Sequence, residues 1–188
     1  MTESPQEQPK ARLLHPRLAA VLAGLRHGEM VCVSDAGSGS SEKSLVPLAP
    51  DVERIDLGIA TDIPTCREVV GALHAAGDFE AAIVADVTPE ANEPLMSYLV
   101  KTFGDDCVHV VDYLPTWYEL RNRVKVFIQT GDYGLAASTI LVAGYPSPNI
   151  PLEWLKSNEW YERLLDEGGK FVSDGETWHR VDDADTDG

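Results

Sequence analysis

Apolar positions along this chain alternate between two rhythms. Pro16 opens a helix in which Leu18, Val21, Leu22 and Leu25 return at helical spacing, until Gly28 stops the run. Met30 to Ser34 is then a short continuous apolar run of strand length. The pattern repeats. Strands are predicted over Arg54–Ala60, Glu80–Asp86, Cys107–Val111 and Thr139–Ala143. Helices are predicted over Pro64–Ala76, from Pro89 to about Gly104, and from Pro115 to about Ile128, stopping before Gly131. Strands alternating with helical patterns, without an internal repeat, predict an α/β domain with a largely parallel sheet.

Two stretches break the rhythm. Residues 35–51, DAGSGSSEKSLVPLAPD, form a long Gly-, Ser- and Pro-rich loop, and loops of this length in compact domains are usually functional or mobile. After Gly144-Tyr-Pro-Ser-Pro-Asn149 the chain changes character. Leu152–Leu165 reads as an aromatic-rich helix with Trp154, Trp160 and Tyr161, and Lys170–Val181 as a hairpin about Ser173-Asp174-Gly175. The division predicted is a disordered arm (1–11), an α/β domain (12–149), a C-terminal extension (150–181) too small for a second domain, and an acidic tail (182–188).

Composition adds exclusions. The 188 residues carry 31 acidic against 15 basic side chains, a net charge of -16 that repels nucleic acid and anionic membranes. No apolar run reaches membrane-spanning length and the polar N-terminus lacks a signal-peptide pattern, so a cytoplasmic protein is expected. Cys32, Cys66 and Cys107, odd in number and each in or beside an apolar segment, read as reduced thiols.

Few residues offer chemistry. The Gly-Ser loop at 37–41 could cradle an anion, but neither GxxxxGK[ST] nor GxGxxG is present, and a plain loop is the better reading. Cys107 and His109, two apart on a predicted strand, lack a second pair to complete a metal site, so no metal is expected. No GxSxG or HExxH element occurs. His27 and Asp35 flank one strand, and Asp35 follows its C-terminal end, where open α/β sheets place ligands. An imidazole and a carboxylate can share proton transfer. Their plain alternatives are a helix C-terminal cap for His27 and a turn residue for Asp35.

Taken in order, LLHPRLAAVLAGLRHGEMVCVSDAG, ERIDLGIATDIP, FEAAIVAD and WYELRNRVKVFIQTGDYGLAASTILVAG resemble four segments of the ribose pyranase and fucose mutarotase (RbsD/FucU) superfamily. The likeness spans about residues 13–145. Trp117-Tyr118-Glu119 is nearer the fucose branch and Asp35-Ala36-Gly37 nearer the ribose branch. The resemblance implies a Rossmann-like parallel-sheet subunit and a ring-shaped homo-oligomer, commonly a decamer, whose sites draw residues from adjacent subunits. It also implies metal- and cofactor-free sugar isomerisation, by anomer interconversion or pyranose–furanose exchange.

Residue by residue, His27 matches the family histidine, Asp35 the aspartate of D-A-G, and Tyr118 the tyrosine of F-Y-E-R. The arginine after that tyrosine falls at Leu120, the ribose-branch histidine at Leu114, and the sugar-contacting Y-[AG]-N motif at Ala136-Ala137-Ser138. The family's D-A-x-x-P proline is missing. Tyr133 and Arg121 are near enough in sequence to substitute, so Tyr118, Arg121, Tyr133 and Ser138 are the expected substrate contacts beside His27 and Asp35 as catalytic pair. The expected activity is a cofactor-free isomerase moving protons on a sugar or other small cyclic hydroxylated molecule. Two alternatives stay open. One is a repurposed enzyme of specialised metabolism catalysing another proton-transfer, cyclisation or dehydration step. The other is a non-catalytic ring protein binding a ligand.

Overall fold

The computed structural model describes residues 12–145, together with the backbone of residues 170–173 and 178–181. The predicted arm, the aromatic-rich helix at 152–165 and the acidic tail lie outside the described residues. The chain divides into two compact units, residues 1–145 and 146–188.

The first unit carries six strands: β1 (Met30–Ser34), β2 (Glu53–Asp56), β3 (Phe79–Ala85), β4 (Val108–Val111), β5 (Val126–Gln129) and β6 (Thr139–Ala143). They form one sheet in the order β2-β5-β1-β6-β3-β4. The fold is α/β, as the alternation predicts, but the sheet is mixed. β1, β5 and β2 run parallel to one another, as do β3 and β4, while β6 is antiparallel to both β1 and β3. β6 comes from a direct return of the chain at the T-G-D turn, without a crossover helix, so it reverses direction.

Alternate residues of each strand feed two cores. Val31, Val33, Val84, Val126, Ile128 and Leu141 face α1 (Pro16–Gly24), α2 (Cys66–Ala76) and α4 (Glu93–Phe103), whose Leu18, Val21, Val70, Leu73, Leu95 and Leu99 are buried against them. Cys32, Phe127 and Ile140 point to the opposite face, where Trp117, Val111 and Val52 cover them. Local signals set the helix starts. Pro16 sits in the first turn of α1. Thr65 and Glu68 close a reciprocal capping box on α2, and Asn92 caps α4 after the one-turn α3 (Thr88–Ala91).

The predicted helix from Pro115 to Ile128 is corrected. A π-type turn at Tyr113–Trp117 leads into α5 (Tyr118–Arg121), one turn long, and β5 follows. Val126 and Ile128 on one face and Phe127 on the other, all buried, favour strand once Asn122 has ended the helix. The strand predicted over Arg54–Ala60 is cut short at Asp56, and Cys107 lies in a 3-10 turn ahead of β4, not in the strand with His109. In the second unit β7 (Lys170–Ser173) and β8 (Trp178–Val181) pair antiparallel, as the hairpin pattern predicts.

Candidate functional site

The C-terminal ends of β1 and β5 meet the start of β6 at one side of the sheet. Ser34 closes β1 here with Asp35 just after it, and Ser138 stands just before β6. The Ser138 hydroxyl donates to Asp35 Oδ2 at 2.6 Å, accepts from the Asp35 backbone N–H at 3.1 Å, and lies 2.9 Å from the Ser34 hydroxyl. Gln129 Nε2 donates to the Asp35 carbonyl at 2.5 Å and the Ser38 carbonyl at 3.2 Å. The Asp35 carboxylate is thus held by the Ser138 hydroxyl, half-buried, with its other oxygen left to accept a further hydrogen bond.

It faces a cleft of about 890 Å³ whose lining includes Ser38, Thr88, Glu90, Tyr113, Trp117, Tyr118, Tyr133, Ala136 and Ser138. That volume lies within the ~300–1,000 Å³ of small-molecule sites. Ala136 holds φ +51°, a left-handed conformation unusual for a residue with a Cβ. The Tyr113 and Tyr118 hydroxyls are 2.9 Å apart and the rings meet edge-to-face at 5.4 Å. This hydrogen bond, with partial burial, pushes the Tyr113 phenol up to about 12, so it stays a proton donor at neutral pH.

The T-G-D turn builds the far wall. Asp132 accepts from the Cys66 N–H at 2.8 Å and from Gly134 N–H at 2.7 Å, while its carbonyl takes the Ala36 N–H at 2.7 Å. A Cβ at Gly131 would lie 2.2 Å from the Ala60 carbonyl oxygen and 2.5 Å from that of Ile63, so only glycine admits this approach. Asp62 Oδ1 then receives the Tyr133 N–H at 3.0 Å and sets Tyr133 at the rim, two-thirds exposed.

Arg121 is expected among the substrate contacts, and the structure places it behind the cleft wall. It is 1% exposed and absent from the cleft lining. Its guanidinium donates to the Gly39 carbonyl at 3.1 Å and the Val46 carbonyl at 2.7 Å, tying down the 35–51 loop, and sits 4.7 Å from the Tyr118 ring centre. Burial draws the guanidinium below its ordinary proton affinity. The loop predicted at 35–51 is therefore anchored. Asn122 adds to the hold, accepting from Ala49 N–H and donating to the Pro47 carbonyl.

His27 lies elsewhere. It precedes β1, at the opposite end of that strand from Asp35, and is exposed. Its Nε2 is 3.2 and 3.1 Å from the two Glu80 carboxylate oxygens, and its ring meets Tyr145 edge-on at 6.1 Å. It is no cap for α1, which ends at Gly24 with Leu25 as its cap. A single copy of the chain therefore brings together Asp35, Ser138, Tyr118 and Tyr133 and leaves out His27 and Arg121. Sequence reasoning misses Tyr113, Gln129 and Glu80. Tyr113 falls between the predicted strand ending at Val111 and the predicted helix opening at Pro115, where it carries no signal.

Residues 8–146 match the model of the RbsD / FucU transport protein family, about three quarters of the chain. The chain belongs to this family. A D-ribose pyranase of Symbiobacterium thermophilum is 32% identical over 135 residues, covering 72% of this chain and 96% of that protein. Two solved structures of the RbsD/FucU family share the fold. Bacillus subtilis RbsD complexed with D-ribose gives a TM-score of 0.64 at 24% identity, over 72% of this chain and 96% of that one. A fucose mutarotase complexed with L-fucose from Streptococcus pneumoniae gives 0.53 at 17% identity, over 72% and 100%. Among the described residues no helix is long and apolar enough to cross a membrane.

Proposed function

We propose that this RbsD/FucU-family protein is a cofactor-free isomerase that opens and recloses the ring of a sugar or a similar small cyclic hydroxylated molecule. The relatives supply the reaction class, since a D-ribose pyranase and a fucose mutarotase are among the proteins this chain is similar to. The observation that carries the reading is the Asp35 carboxylate, fixed by Ser138 on the floor of the aromatic-walled cleft.

Opening a cyclic hemiacetal removes the anomeric hydroxyl proton while the bond from the anomeric carbon to the ring oxygen breaks. A proton arrives on that oxygen. Reclosure on the other carbonyl face gives the other anomer, and reclosure through another hydroxyl changes ring size. In this proposal His27 of a neighbouring copy exchanges the anomeric proton, and Asp35 orients and charges the imidazole. Tyr118, Tyr133 and Ser138 hold the ring. A closed ring of subunits follows, because five-residue β1 separates His27 from Asp35 within one copy.

The test is magnetisation transfer between anomers, by NMR, over a panel of free pentoses, hexoses and 6-deoxyhexoses. Faster exchange with wild type than with Asp35→Asn supports the reading. A sugar that binds without any faster exchange favours the non-catalytic ring protein instead, a reading to which Ala136, Ser138 and Leu114 at the family's sugar positions lend weight.

A further inference from the structure

The cleft that Asp35 faces carries negative charge without a matching cation. Glu90 lines it together with Asp35, and among the described residues no lysine, arginine or histidine does. Arg121 is turned away behind the wall, toward the Gly39 and Val46 carbonyls. In the shared site proposed above, His27 of a neighbouring copy arrives with its own carboxylate partner, Glu80. Much of the remaining wall is aromatic, from Tyr113, Trp117, Tyr118 and Tyr133. A neutral ring gains nothing from uncompensated carboxylates, whereas a cation is drawn to carboxylates and to aromatic faces alike.

Glu90 has a defined place in this wall. It lies on the one-turn α3, which is tied to the segment ahead of β6. Thr88 Oγ1 donates to the Ala136 carbonyl at 3.2 Å, and Asn92 Nδ2 to the Leu135 carbonyl at 3.0 Å. The Glu90 side chain is exposed and forms no ion pair among the described residues. Ala136 and Ser138 present only short side chains where this segment meets the cleft, so space is open next to α3. The volume of about 890 Å³ exceeds what a bare pentose or hexose fills.

We propose that the cyclic molecule this cleft receives is cationic, an aminodeoxy sugar whose ammonium donates to the Glu90 carboxylate beside the aromatic wall. The proposal rests on the ring-opening reading above and names its substrate class. Asp35 and Ser138 meet the ring, and Glu90 reads the substituent. Because Glu90 is exposed, water screens the pair, and its effect is selectivity between charged and neutral sugars of one shape.

Titration calorimetry on the assembled protein tests this. The probes are the 2-, 3- and 6-amino-deoxy derivatives of glucose and galactose, their N-acetyl forms and the parent sugars, at pH about 6.5, where sugar amines are charged as α-amino groups are. The N-acetyl forms keep the bulk and lose the charge, so they separate electrostatics from room. At least one free amine should bind ~5–10-fold tighter than its parent and its N-acetyl form, a charge-assisted bond discounted for exposure. In Glu90→Gln that ratio should fall to within about twofold of unity, and Glu90→Lys should invert it. Raising salt to about 0.5 M should shrink the ratio in wild type. No preference for any amine, or a preference that survives Glu90→Gln, overturns the proposal. Neutral sugars exchanged faster by wild type without an amine preference overturn it alone and leave the ring-opening reading standing. Amines held through Glu90 but exchanged no faster than in buffer support the charge selectivity and overturn the ring-opening reading. Binding of none of these sugars overturns both.

Discussion

Ser138→Ala removes one oxygen that serves three partners, which makes its cost calculable. The bond to the Asp35 carboxylate is short, at 2.6 Å, and charge-assisted. Bonds to charged groups are worth ~1.5–3 kcal/mol, discounted here because Asp35 is half-buried and water can replace the donor. Ser34 is fully buried, and its hydroxyl has only Ser138 as a side-chain partner among the described residues. Leaving it unpaired adds ~1–3 kcal/mol, part of which rotation of the hydroxyl recovers. We expect a net loss of about 2–3 kcal/mol, and at ~3–5 °C per kcal/mol for a domain of this size Tm should fall by roughly 6–15 °C. Adding Ser34→Ala removes the orphan and should restore part of the loss, with a coupling of at least ~1 kcal/mol in a double-mutant cycle by urea unfolding. A Tm drop under about 2 °C for Ser138→Ala, or strict additivity with Ser34→Ala, would refute the reasoning.

Other consequences are open to direct measurement. Burial pushes the Cys32 and Cys66 thiols up, so an aromatic disulfide reagent at neutral pH should leave both unmodified in the folded protein while half-exposed Cys107 reacts; fast release of three equivalents would contradict this. The Thr65 N–H and hydroxyl hold the Glu68 carboxylate below its ordinary 4.5. Its stabilising contribution is therefore complete above that value and lost as pH falls through the folded-state value, so Glu68→Gln should flatten the acid limb of Tm against pH. Gly131→Ala must displace the 60–63 turn and with it Asp62 and Tyr133, so it should weaken sugar binding as well as stability; a wild-type melting curve would contradict the close approach seen here. Dialysis against a chelator should leave fold and activity unchanged.

The scaffold was legible because its signals are local. Pro16, Thr65 with Glu68, and Asn92 mark helix starts, and the apolar runs at Met30–Ser34 and Thr139–Ala143 are strands with few rivals. The direction of β6 was not legible, since a strand carries the same pattern either way and its neighbours are chosen by long-range packing. β5 was lost for a related reason. Leu120 through Ile128 offers apolar residues at both spacings, and only burial on two faces separates strand from helix. At the site, Asp35 could be placed from its position after β1, whereas Arg121 could not. An arginine near a conjectured sugar site looks like a ligand contact until its guanidinium is found under Tyr118 with the loop carbonyls of Gly39 and Val46. His27 and Asp35 belong to opposite ends of one strand, and the family resemblance alone offers a way to join them, through a second copy.

That junction is the claim on which the functional account rests, and subunit mixing tests it. His27→Ala and Asp35→Asn should each lose ~10²–10⁴-fold in ring-opening rate while staying folded and assembled. Co-expressed from two plasmids and purified as mixed rings, the two variants should regain activity, up to about a quarter of the wild-type level, because random neighbours then place an intact Asp35 beside an intact His27 in that share of the sites. Mixed rings no more active than either variant alone, with mixing verified by native mass spectrometry, would contradict a site shared between copies.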